Sequence, residues 1–140
     1  MTEQQIIDEI NRAKQFKRIG QFDTALSILQ NLETTVEAID EDALMLGHVY
    51  KATSKIFFIQ GQDDACYARC VMAAQIFAIH GDQAEAFNVA GTLGCLHPHF
   101  SEYRQAYANS LQGIGQFTNQ EIAFQMAQVG IQALQDFFGQ

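Results

Sequence analysis

Apolar residues recur along this chain at intervals of three and four, the spacing of one face of a helix. Ile6, Ile10, Ala13 and Phe16 form the first such face, ahead of Gly20. Thr2 and Gln5 carry the pattern of a capping box before it, which predicts a helix over about 3–19. A second follows over about 22–35 on Ala25, Leu29 and Leu32. Asp40, Glu41 and Asp42 suit the partial positive charge of a helix start and open a third, which carries Leu46, Val49, Tyr50, Thr53 and Phe57 to Gly61. The fourth, about 63–79, is rich in small residues, among them Ala65, Cys66, Cys70, Ala73 and Ala74. Asp82 and Glu85 begin a fifth on Val89, Ala90 and Leu93, which stops before Pro98 because proline lacks an amide donor and restricts His97. A sixth starts near Ser101 and breaks at Gly113. In the seventh, Thr118 caps, Glu121 answers, and Ile122, Met126, Val129, Ala133 and Phe137 make the stripe. Alternation of β-branched residues is nearly absent, so the fold class is all-α.

The pattern repeats. Gly20, Gly61 and Ser101 lie 41 and 40 residues apart, and five residues after each comes a small residue: Ala25, Cys66 and Ala106. A period in this range marks stacked supersecondary units, each unable to bury its apolar face alone. The expected organisation is one domain, 1–140, of three antiparallel helical hairpins at about 3–35, 41–80 and 82–114, with a capping helix at about 118–138. Ala25 and Ala106 are expected to be buried where paired helices meet.

The segment Gly20-Gln21-Phe22-Asp23-Thr24-Ala25-Leu26 resembles the joint of a tetratricopeptide repeat, where a glycine, an aromatic and an alanine recur at this spacing. Leu93-Gly94 ahead of Tyr103 and Ala106 is similar to that family's leucine-glycine step, and Tyr50, Phe57, Gly61 and Ala73 extend the likeness to the second hairpin. The period exceeds the usual one of about 34, which implies longer helices. The resemblance implies a superhelix whose first helices line an inner groove, and a function in holding another protein.

Charge sharpens that expectation. The chain has 16 acidic and eight basic residues, for a net charge of −8. That balance argues against nucleic acid and against an anionic membrane surface as partners. Yet six of the eight basic residues fall on the first helices of hairpins one and two. Lys14, Lys17 and Arg18 share one helix face, as do Lys51 and Lys55, with His48 one turn before. Lys14 and Lys55 are 41 residues apart, the repeat period. In the groove that the resemblance implies, these six residues form a basic strip. It would take an acidic protein or peptide segment, or a chain-terminal carboxylate. The expected function is an adaptor, partner-specific chaperone or regulatory module; homo-oligomers are compatible with it.

Cys66, Cys70, Cys95, His97 and His99 form a second constellation, whose residue types ligate zinc. The spacing matches no zinc pattern, and Cys66 stands where Ala25 stands, so core packing is expected and no metal or cofactor. A helical bundle holding a small ligand or metal near Cys95 and His97 is the alternative from another class. No phosphate loop or nucleophile elbow appears, so no enzyme is expected. Three cysteines, a polar start and no long apolar run lead to the expectation of reduced thiols in the cytoplasm.

Overall fold

Glycine closes the hairpins at the predicted joints. Gly20 and Gly61 have φ of 79° and 73°, a left-handed conformation that ends a helix without a Cβ penalty. At Gly20 the next amide, that of Gln21, donates back to the Phe16 carbonyl at 2.9 Å; at Gly61, Gln62 donates to Phe57 at 2.9 Å. The chain therefore reverses tightly at both joints, and the two helices flanking each joint pack together.

The computed structural model describes residues 1–139. Its helices are α1 (Glu3–Arg18), α2 (Phe22–Ile39), α3 (Leu44–Ile59), α4 (Asp63–Ile79), α5 (Gln83–Gly94), α6 (Arg104–Gln112) and α7 (Gln120–Phe138), with a 3-10 turn at Pro98–Tyr103. The described residues are all-helical, in a repeat-like arrangement of neighbouring packed helices. The capping box at Thr2 forms: its hydroxyl accepts from the Gln5 amide at 3.1 Å, and the Thr2 amide donates to the Gln5 side chain at 2.8 Å. The core runs unbroken through the layers, from Ile6 and Ala25 through Val49 and Phe77 to Val89 and Met126.

The third hairpin departs from expectation. The partner of α5 is α7, not α6, and theirs is the most extensive helix contact in the molecule. Two mid-helix glycines explain it. A Cβ at Gly94 would lie 1.7 Å from the Met126 carbonyl oxygen, and one at Gly130 would lie 1.8 Å from that of Ala90. The two backbones touch where side chains would hold them apart. So α7 is the second member of the third hairpin, while α6 (between Cys95 and the α7 start) is displaced from the stack. Ala106 is accordingly exposed, against the expectation, whereas Ala25 is fully buried. Ser101 lies in the 3-10 turn, which the buried Phe100 anchors.

Two helix starts also shift. The acids of 40–42 precede α3, which begins at Leu44; the Asp40 carboxylate instead accepts from the Asp42 amide at 3.0 Å. Asn119, not Thr118, caps α7, accepting from the Ile122 amide at 3.1 Å.

Released from the stack, α6 lies across α3. The Tyr107 ring meets Phe58 edge-on at 5.3 Å, and its hydroxyl stands 2.9 Å from that of Thr92 on α5. Arg104 reaches Asp63 at the start of α4 with two hydrogen bonds, 2.6 and 2.9 Å, and sits 5.1 Å over the Phe58 ring. At its other end, Gly113 rests against the Arg18 side chain of α1.

Candidate functional site

The surface between α1 and α3 is built by helical periodicity. Ile6, Ile10 and Ala13 turn one side of α1 into the core. That leaves Lys14, Lys17 and Arg18 on the flank toward α3. On α3, Val49, Tyr50, Thr53 and Phe57 face the core, and His48, Lys51 and Lys55 fall on the flank toward α1. The six residues singled out in the sequence thus come from two adjacent helices, and their charges act on one another. Burial lowers the Lys14 amine, and the nearby Lys51 charge lowers it further. Burial, then Lys14 and Arg18, pull Lys17 down to about 8. Burial, then Lys51, Lys17 and Lys14, pull Lys55 down to about 8.

Between the two helices opens a cleft of about 220 Å³, lined by Ile7, Ile10, Asn11, Lys14, Met45, His48 and Lys51. Lys17 and Lys55 lie one turn further along their helices, at the end that α6 covers. There Tyr107 of α6 packs on Phe58, and Gly113, which follows α6, lies near Arg18.

One carboxylate enters from α5. Glu85 forms an ion pair with Lys51, and the His48 Nδ1 stands 3.8 Å from it. Burial opposes the charge on Glu85, but the hydrogen bond and charge of Lys51 prevail and hold its carboxyl below the usual range. Burial and the Lys51 charge lower His48, against the opposing pull of Glu85 and Asp82. The remaining basic residues sort cleanly. Arg12 pairs with Glu9, Arg69 with Glu33 and Arg104 with Asp63. Among the described residues, Lys14, Lys17, Arg18 and Lys55 have no carboxylate within ion-pair distance.

The cysteine and histidine constellation does not come together. Cys66, Cys70 and Cys95 are buried, while His97 and His99 are exposed. A hydrogen bond between Cys66 and Cys70, with burial, pushes the Cys66 thiol up, and burial pushes Cys95 up to about 12. His97 Nδ1 accepts from the His99 amide at 3.0 Å. Among the described residues, no three histidines, cysteines or carboxylates converge as metal ligands. No described helix is long and apolar enough to cross a membrane.

One polar network escaped sequence reading. Glu33 on α2 is only 7% exposed; it accepts from Arg69 Nε on α4 at 2.9 Å, and the Thr53 hydroxyl of α3 stands 3.3 Å from it. Burial raises its carboxyl in spite of Arg69. The signal was an acid inside the apolar stripe Leu29, Leu32 and Val36.

No family model, curated protein or solved structure matches this chain.

Proposed function

We propose that this chain is a non-enzymatic protein-interaction module of tetratricopeptide-like design, which binds a short acidic segment of a partner in the cleft between α1 and α3. One observation carries the reading: among the described residues, the four lysine and arginine side chains without a carboxylate in ion-pair distance, Lys14, Lys17, Arg18 and Lys55, stand on these two helices. Grouping like charges at a half-buried site costs stability, and an anionic ligand would return that cost as affinity. Ile7, Ile10 and Met45 offer an apolar wall beside the amines, so the segment presents an acidic group next to an apolar side chain. Because α6 covers one end, the segment enters from the Ile7 and Met45 side and does not run through.

The test uses a labelled peptide of alternating glutamate and leucine. It binds wild type at low salt and weakens as salt rises, because screening shortens from about 10 Å at 0.1 M to about 3 Å at 1 M. Lys14→Glu with Arg18→Glu changes two exposed side chains; because Arg18 also lies near Gly113 after α6, circular dichroism and a thermal melt are measured beside binding to separate lost affinity from a loosened fold. The variant's affinity should fall at least about tenfold, or ~1.4 kcal/mol. Equal binding by wild type and variant refutes the basic cleft.

A further inference from the structure

We propose that the chain also pairs with a second copy of itself, through an aromatic face built by α4, α5 and α7. Among the described residues ten large apolar side chains are exposed, and all five aromatics among them lie on these helices: Tyr67, Phe87, Phe124, Phe137 and Phe138. They are linked. Phe87 and Phe124 are 6.3 Å apart between ring centres, Phe137 and Phe138 5.4 Å, and Tyr67 and Phe137 6.4 Å. Phe87 and Phe138 both line a cleft of about 490 Å³, whose other walls include Ala74, Ala86, Ile131 and Leu134. The four exposed isoleucines are different: Ile19, Ile39 and Ile79 stand at the ends of separate helices, and Ile114 follows α6.

The four phenylalanine rings are 42–54% exposed, which leaves roughly 300–450 Å² of aromatic surface in water if each ring can bury about 150–250 Å². That is about half of the ~800 Å² that each partner buries in a standard interface. Tyr67 and the cleft walls supply more.

Three features select a second copy as the occupant. The face carries both an exposed ring and a recess: Phe124, 54% exposed, neighbours Phe87, and Phe87 lines the cleft. A two-fold axis would bring each ring to the other copy's recess, which is an isologous contact. No charged residue lines the cleft, in a chain of net charge −8, so two like-charged molecules meet where neither presents charge. Finally, the cleft at the opposite end of the stack is lined by Glu9, Arg12, Asp23 and Asn31. Its apolar lining, Met1, Ile28 and Leu32, is interleaved with those charges and carries no aromatic ring, so the aromatic face matches a second copy of itself better than it matches the far end of the stack, and a closed dimer is expected.

Sedimentation equilibrium on the full chain over the micromolar range tests this. Wild type should reach the mass of a dimer. Phe124→Asp and the milder Phe124→Ser should weaken association at least about tenfold while circular dichroism stays unchanged. Added salt should strengthen the dimer by screening net repulsion, whereas it weakens peptide binding in the basic cleft. Lys14→Glu with Arg18→Glu should dimerise normally, so failure of either site is distinguishable from failure of the other. A monomeric mass at every concentration overturns the proposal. So does growth beyond two chains, or a dimer indifferent to both Phe124 variants.

Discussion

Replacing Lys55 by methionine should make the protein more stable at neutral pH and no more stable at high pH. Lys55 holds its proton at about 8 against an ordinary 10.5. At about 1.36 kcal/mol per pH unit, a drop of that size corresponds to about 3 kcal/mol against the charged native form. Water reaching the partly exposed amine reduces this, so a gain of about 1–2 kcal/mol is expected for a methionine that keeps the apolar stem. Native Lys55 binds its proton more weakly than the unfolded chain does. It therefore opposes folding fully below about 8, and the opposition fades as pH rises toward 10.5, where the unfolded chain also loses its proton. Wild-type stability alone would not reveal this, because the raised thiols of Cys66 and Cys95 and the raised phenol of Tyr107 slope the other way. Those groups are common to both proteins and cancel in the difference. Urea unfolding of wild type and Lys55→Met at a series of pH values gives that difference directly. A variant less stable at neutral pH, or a difference that does not shrink on the alkaline side, refutes the reading of a strained cationic cluster.

Gly130→Ala drives a methyl group into the Ala90 carbonyl and should cost about 3 kcal/mol or more in a thermal melt, at the severe end of overpacking. Ala25→Leu should cost about 1–3 kcal/mol, whereas Ala106→Leu, on an exposed position, should stay within about 0.5 kcal/mol; similar losses for both would restore the original third hairpin. Glu33→Ala strands the Arg69 guanidinium, 26% exposed, and should cost about 1–3 kcal/mol by urea unfolding. Arg104→Ala should speed amide exchange most across α6 and, to a smaller extent, across α3, on whose Phe58 ring it rests.

The first two hairpins were legible because their joints combine glycine with a helical stripe, and a left-handed cap is a local property. The neighbourhood of the basic residues follows from the same local signals: the period puts Lys14 and Lys55 at equivalent places on α1 and α3, and helical spacing puts Lys51 one turn before Lys55. The third hairpin was not, because pairing is decided by close approach. Gly94 and Gly130 are separated by the whole of α6, and nothing in the local pattern of either says that they face each other. The destination of Glu85 was hidden likewise. Its spacing from Asp82 fits a capping box, and the Asp82 carboxylate does accept from the Glu85 amide at 3.1 Å. The Glu85 side chain, however, turns to Lys51 instead. Local propensity and long-range charge competed for one carboxylate, and the buried lysine won.

A linear stack of hairpins is free to fray from either end, one layer at a time, since each layer touches only its neighbours. α6 removes that freedom. It rests on Arg18 of the first layer, on Phe58 and Asp63 of the second and on Thr92 of the third, so its contacts bind layers that the stack itself does not join. Loss of α1 then also undermines α6, and loss of α6 loosens all three layers. A one-dimensional array becomes a closed circuit. Its unfolding should be all-or-none, with slowest-exchanging amides distributed through α1, α3 and α5 rather than concentrated at the centre of the stack.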